Sequence, residues 1–456
     1  MNCPIPFSAT DVPSSRAMIT PIGDRRPLEL STPRSAYGAG ALRQRQLCHS
    51  VGNANTEGYV MLTSSHISRL ACGLTTAAVA LTLAGCGAAS NAESHGDVIK
   101  LGETSGISGP AGGYGKALSE GQQAIFRAVN DAGGVDGKKI ELTLLDDGLD
   151  VARAVQNVRK LVTDRNIAIV GGSGSGSIDA IVPVLDKAGV PLLFPAKSSP
   201  AFVNAVVPQA FAMVPTFPDQ AHALVSAAYE KTGPGSVFLV RTVSDQNDPI
   251  LAKVEAAVQN GGGSFLGTAI VPFGADVTPV ALQVAEAKPD YVVFTSAPAE
   301  TTKIVNYLAG KDQLPRKAIL GTTSLPGETF LQGTPRSAHE LLFSLAITKP
   351  PTDPSAADCL EAVRKYYPDS QIDTVTTFGC AIAQAVVAGL ELAGPDPTSE
   401  SLVKALASMQ DRQVSPLIPP VTFSRESHMG LTSLPTVTVK DGQYQAAETV
   451  NVPVLP

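Results

Sequence analysis

From Ile99 onward, short apolar runs alternate with stretches whose apolar residues recur at three- and four-residue spacing. The first spacing fits buried strands and the second fits amphipathic helices. Ile99 to Gly102 predicts a strand, followed by the loop TSGISGPAGGYG and a helix over Lys116 to Ala132, with Leu118, Ile125 and Val129 on one face. Gly133-Gly134 stops that helix. IELTLLDD and NIAIVGG read as strands on either side of the helix VARAVQNVRKLVTD, and the helix SIDAIVPVLDKAG leads to the strand VPLLFPA. The alternation then restarts. SVFLVRT, SFLGTAIV, DYVVFTS and KAILGTT read as strands, separated by helices near Leu251 to Asn260, Val280 to Lys288 and Thr301 to Leu308.

Apolar strands separated by helices make parallel sheets covered on both faces. Two such series predict an α/β chain with two doubly wound, Rossmann-like lobes. Its 456 residues exceed one typical domain, which agrees. In such sheets ligands gather beyond the carboxyl ends of the strands. That rule points to the loops after Gly102, Val170, Phe194, Val240, Phe294 and Leu320. A net charge of -7, with no basic stripe, argues against nucleic acid as a partner.

Upstream of the alternation lies a different signal. From Met61 the chain reads MLTSSHISRLACGLTTAAVALTLAGCGAAS, with Arg69 as a short cationic region and Leu70 to Leu83 too short to span a bilayer comfortably. Leu83-Ala84-Gly85-Cys86 resembles the lipobox of bacterial lipoproteins, which implies lipidation of Cys86 and anchoring by two acyl chains. The competing reading is a buried helix ending in Gly-Cys-Gly. Residues 61–85 are therefore expected to be a lipoprotein signal peptide and 86–96 a linker. Residues 1–60 carry Pro, Ser and Arg without an apolar period, and are expected to be a disordered or mis-assigned leader, with translation starting at Met61.

Cys3, Cys48 and Cys72 fall in those segments, which leaves Cys359 and Cys380 as an even pair. In an oxidising compartment a disulfide between them is expected, the alternative being two small buried apolar residues. Without a CxxC or a Cys/His cluster, a zinc site has no support, and no cofactor is expected.

Candidate chemistry centres on IVGGSGSGSID, residues 169–179. A phosphate loop fails: in PAGGYGKA, Pro110 stands where the first glycine belongs and Ala117 where the hydroxyl belongs. A GxGxxG fingerprint fails at Ser177 from one register and at Asp179 from the other. A GxSxG elbow fails around both Ser173 and Ser175. His222, His339 and His428 stand alone, although a triad need not be local in sequence. Two readings stay open. Ser177 caps a helix beginning near Ile178, or the loop cradles an anionic or polar head group with amides, hydroxyls and the positive helix end.

The ordered succession of motifs is more specific. SGP followed by YG, NxxGGVxG, the strand ending in Asp146-Asp147, IAIVGGSGSGS and AGVPLLFPAKSSP come in order, and then the tail VTTFGCAIAQAVVAGLELAG, PPVTFS and TVTVKDGQY. From about residue 97 to 445 this resembles the branched-chain amino acid type of periplasmic binding protein. The resemblance is strong in the first lobe and loose in the second. It implies a two-lobed clamp with a three-segment hinge: lobe one 97–217 plus 347–423, lobe two 218–346 plus 424–456.

By position, the resemblance implies that Tyr114 covers the ligand and that Ser175 and Ser177 offer donors to a carboxylate. Ala196 would supply a carbonyl and Ser198 a hydroxyl. Lys197 is an addition to the pattern, either a solvated loop charge or a cation in the cleft. Asp146 and Asp147 are read as structural. Thr323 stands where amino-acid binders place an acid for the ligand ammonium, and Ala297 where an aromatic residue is common. SDQNDP replaces a YG step, and Asp245 or Asp248 could compensate. The guest thus stays open among an amino acid, a carboxylate lacking an amine, an amide and an aromatic acid. The implied function is a monomeric, lipid-anchored solute receptor, not an enzyme, facing the extracytoplasmic side and delivering cargo to the permease of an ABC importer. The alternative is the same clamp used as a ligand sensor.

Overall fold

The computed structural model describes residues 98–109, 112–197, 207–242, 247–272 and 274–453. The expectations for the leader, the signal peptide, Cys86, Ser198 and Asp245 lie outside these residues.

Two sheets organise the chain. The first holds β1 (Val98–Ser105), β2 (Lys139–Asp146), β3 (Ala168–Val170), β4 (Leu192–Leu193) and β5 (Ala210–Phe211), all parallel, in the order β2-β1-β3-β4-β5. The helices α1 (Gly112–Asp131), α2 (Val151–Thr163) and α3 (Ser175–Ala188) connect its first four strands. Asp150 starts α2 by accepting from the Arg153 amide at 2.8 Å, and a left-handed Gly189 ends α3. Strand β1 runs three residues past the expected end at Gly102, which carries Glu103 into the core. Helix α3 begins at Ser175 with Gly174 at its N-cap, so Ser177 lies inside the first turn and does not cap it.

The second sheet holds β6 (Ser236–Thr242), β7 (Ser264–Val271), β8 (Tyr291–Thr295), β9 (Ala318–Gly321), β10 (Leu342–Leu345), β11 (Ser433–Lys440) and β12 (Gln443–Asn451). Its order is β12-β11-β10-β9-β8-β6-β7. Five strands are parallel, and the last hairpin adds an antiparallel edge absent from the sequence expectation of purely parallel sheets. Every residue of β8 is buried, as its unbroken apolar run requires of a strand covered on both faces. Strand β12 is mostly exposed, as suits an edge.

The helix Thr374–Ala393, 20 residues long, is apolar enough to cross a membrane, yet 67% of its most apolar 18-residue stretch is buried. It is a core helix, laid against α1. A side chain at Gly121 would meet the Thr376 carbonyl oxygen at 2.2 Å, and one at Gly379 would meet that of Leu118 at 2.1 Å. Only glycine allows two helix backbones to pass so closely. Nearby, Cys380 on this helix is disulfide-bonded to Cys359 on the helix Ala357–Tyr366, with Cα atoms 5.9 Å apart.

The bridge closes a loop with a sequence separation of 21. Its reduction is expected to lower the unfolding free energy by about 3 kcal/mol, through the freedom returned to the unfolded chain. Urea melts with and without reductant measure this. Coincident midpoints would show that the bridge constrains nothing.

Candidate functional site

A cavity of about 610 Å³ lies where the two sheet-bearing halves meet. Helix α1 contributes Tyr114 and Ala117 from just after β1, and the helix Thr374–Ala393 contributes Val375 and Phe378. Opposite them stand Ala297, Glu300, Thr323 and Glu328, from the loops and helix starts after β8 and β9. The carboxyl ends of strands in both sheets therefore feed one space, as open α/β sheets require of a binding crevice.

Of the residues expected at the site, Tyr114, Ala297 and Thr323 share this cavity. Ser175, Ser177, Ala196 and Lys197 do not line it. Their loops adjoin it instead: the Ser173 hydroxyl would sit 2.8 Å from a side chain at Gly115, the neighbour of Tyr114. Ser175 is exposed, while Ser177 is buried with its Oγ lacking a partner. The Ala196 amide donates to the Gly172 carbonyl at 3.1 Å, which ties the loop after β4 to the loop after β3.

Lys197 matches neither reading of it. It is buried and paired with Asp179 on α3, so its charge serves the first half internally. Asp146 and Asp147 are structural, as read. Asp146 accepts from the amides of Ile107 and Gly148, and a bond from Ser108, more than any other factor, lowers its pKa. Asp147 accepts from Thr104 and from the Leu149 amide, and burial raises its pKa. His428 stacks on Phe211 at 4.1 Å between centroids and lies 3.0 Å from the Ala210 carbonyl, a core histidine with a pKa lowered by burial. Among the described residues no His, Cys, Asp or Glu group is arranged to hold a metal.

The walls of the cavity hold what sequence reasoning missed. Thr323 is engaged by Gln220 of the helix Phe217–Thr232: its amide and its hydroxyl both donate to Gln220 Oε1 at 3.0 Å. Gln220 in turn donates to the Pro215 carbonyl at 2.7 Å. Thr323 thus spends its donors inside the protein and offers the cavity only acceptor lone pairs. Glu300, buried at the start of the helix Pro298–Ala309, accepts from the Gly274 amide at 2.9 Å. Glu328 accepts from Gln332. Asp373 caps the helix Thr374–Ala393 in a reciprocal box with Thr376. A D-x-x-T step before an apolar run is a readable start signal, so Asp373 could have been found. The three carboxylates come from separate elements, and no Lys, Arg or His joins them among the described lining residues.

Tyr114 keeps 42% of its surface exposed, yet stands among crowded walls. That crowding, and then the Asp373 carboxylate, raises the pKa of its phenol, which stays neutral and able to donate.

Comparison with known proteins gives this geometry its context. The sequence profile of the periplasmic binding proteins matches residues 98–443. The Leu/Ile/Val-binding protein BraC3 of Rhizobium johnstonii is 26% identical over 363 residues, covering 78% of this chain and 95% of the relative. Among solved structures, the substrate-binding protein LivJ of Streptococcus pneumoniae, in complex with isoleucine, superposes with a TM-score of 0.66 at 24% identity, covering 78% of this chain and 99% of that one. A fatty acid ABC transporter substrate-binding protein from Thermomonospora curvata superposes at 0.68 with 20% identity, covering 77% and 92%. Both structural likenesses concern the fold, a type I clamp of two α/β halves. The profile spans most of the chain, and with it the crevice between the halves: this protein belongs to the periplasmic binding protein family, whose members bind solutes and do not transform them.

Proposed function

We propose that the chain is a lipid-anchored extracytoplasmic receptor, tethered through Cys86, that takes a small polar solute between its lobes and hands it to an ABC importer. The lobes are residues 97–217 plus 347–423 and residues 218–346 plus 424–456. The observation that carries this reading is the cavity of about 610 Å³ walled from both halves. A guest touching both walls binds the closed form more tightly than the open one, and closure by that differential affinity is what a transporter can sense.

The chemistry of the walls narrows the guest. Glu300, Glu328 and the acceptor side of Thr323 line the second-half wall, and Asp373 lines the first, without a cation among the described lining residues. Residues 110–111, 198–206, 243–246 and 273 include no Lys, Arg or His either. This favours a guest that turns ammonium or amide N–H donors toward the second half. Its carboxylate, where it has one, turns to the loop 173–177 that adjoins the cavity and is brought to it by closure, with Ser177 and the positive end of the 14-residue α3. An α-amino acid meets both demands, and the acids of the second wall stand in for the one that Thr323 lacks. The name of the Rhizobium relative agrees with this class.

A thermal-shift screen of residues 97–456 against amino acids, amides and aliphatic and aromatic acids tests the reading. A guest at a hundred times its Kd is expected to add about 2.7 kcal/mol of stability, with a concentration-dependent rise in Tm. Amine-bearing guests should outrank the matching plain carboxylates, and the opposite ranking would overturn the assignment of the second wall. Ser177→Ala, which removes an unpartnered buried hydroxyl, should leave stability within about 0.5 kcal/mol and weaken a carboxylate-bearing guest about five- to tenfold, one hydrogen bond's worth. Unaltered affinity by calorimetry in the folded variant would remove Ser177 from the site.

A further inference from the structure

Behind the loop after β3 lies a buried carboxyl group that the binding reading leaves without a role. Glu103, near the end of β1, has no exposed surface. Its Oε1 accepts from the Ser119 hydroxyl at 2.6 Å and from the Gln122 side-chain amide at 3.4 Å, both on α1. The Gly172 amide also acts on this carboxyl group, in favour of its ionised form. Two atoms are left over, Glu103 Oε2 and Gln122 Oε1, and each is buried without a partner. Both are acceptors when Glu103 is ionised, and they belong to side chains already joined by one hydrogen bond.

A single proton resolves both. Placed on Oε2, it makes that oxygen a donor, and the acceptor left over nearby is Gln122 Oε1. We propose that Glu103 is held as a neutral carboxylic acid in a two-bond acid–amide ring with Gln122, and that this ring positions the loop 171–177. This rests on the reading that the loop faces the guest. The loop lies directly on the ring: a side chain at Gly171 would come within 2.5 Å of Gln122 Nε2, and one at Gly172 within 2.7 Å of the Thr104 carbonyl oxygen.

Hydrogen bonds apart, the charge acting on an ionised Glu103 is of like sign. From the turn after β2, Asp147 adds a like charge. From the end of the helix Ala357–Tyr366 comes Tyr367, whose hydroxyl is also buried without a partner. Arg127 of α1 sits 5.0 Å from the Tyr367 ring centroid, and Glu120 of α1 acts on the same tyrosine. Burial therefore outweighs the hydrogen bonds and raises the Glu103 pKa from 4.5 to about 8. Since the folded value lies above the unfolded one, the proton's contribution to stability is complete below about pH 4.5 and declines as pH rises. It is gone above about pH 8, where the folded protein ionises as well.

Glu103→Gln separates this ring from ordinary packing, because its amide mimics the neutral acid and does not titrate. Infrared spectra of wild type at pH 7 should show the carbonyl stretch of a protonated buried acid, absent from E103Q and lost from wild type above pH 9. Hydrogen exchange of the 171–177 segment, taken as the ratio of wild type to E103Q at each pH, should rise about tenfold from pH 7 to 9. Absence of the acid band overturns the ring, and a flat ratio overturns its hold on the loop. Neither readout uses a guest, so a ligand screen without hits would count against the receptor reading and leave this result standing.

Discussion

Helix α1 and the helix Thr374–Ala393 touch backbone to backbone where Gly121 faces the Thr376 carbonyl and Gly379 faces that of Leu118. A methyl group at either glycine would lie within about 2.2 Å of a carbonyl oxygen, a distance no packing tolerates. The crossing places Tyr114 and Ala117 of one helix beside Val375 and Phe378 of the other, which together make the first-half wall of the cavity. It also holds Ser119 and Gln122 against Glu103. Both the cleft and the buried acid behind its loop thus depend on one close approach.

The two halves differ in how they have used their polar groups. In the first half, Lys197 is consumed by Asp179, while Ser177 keeps an uncommitted hydroxyl beside the positive end of α3. In the second, Gln220 takes both donors of Thr323, so the wall presents acceptors and carboxylates. Internal pairing decides which polar character each half has left to offer. A residue type at a site position does not reveal this until its partner is known.

That difference marks what was legible in the sequence. Continuous apolar runs such as SVFLVRT and DYVVFTS gave strands within a residue of their observed ends, since a strand buried on both faces has no other pattern to show. The order of motifs gave the family, and three of the positions carried over from it share the cavity. The Gln220–Thr323 contact spans 103 residues and joins two unremarkable polar side chains, so nothing local announces it. Glu103 was passed over because LGETSG reads as a strand running out into a loop, while the chain in fact stays in the sheet to Ser105. Lys197 reads as unpaired because its partner Asp179 lies 18 positions earlier, on a different element.

The interleaving of the segments has a consequence for how the molecule comes into being. Strands β1 to β5 are laid down first, yet their covering helix Thr374–Ala393 comes from the last fifth of the chain, and β10 waits for β11 to pair with it. Neither half can close its core while the polypeptide is still being delivered, because each needs residues that arrive late. Contacts so distant along the chain form slowly. Both cores are therefore knit together by pairings between the beginning and the end of the described fold, so that loss of the segment after Thr374 removes packing from each of them.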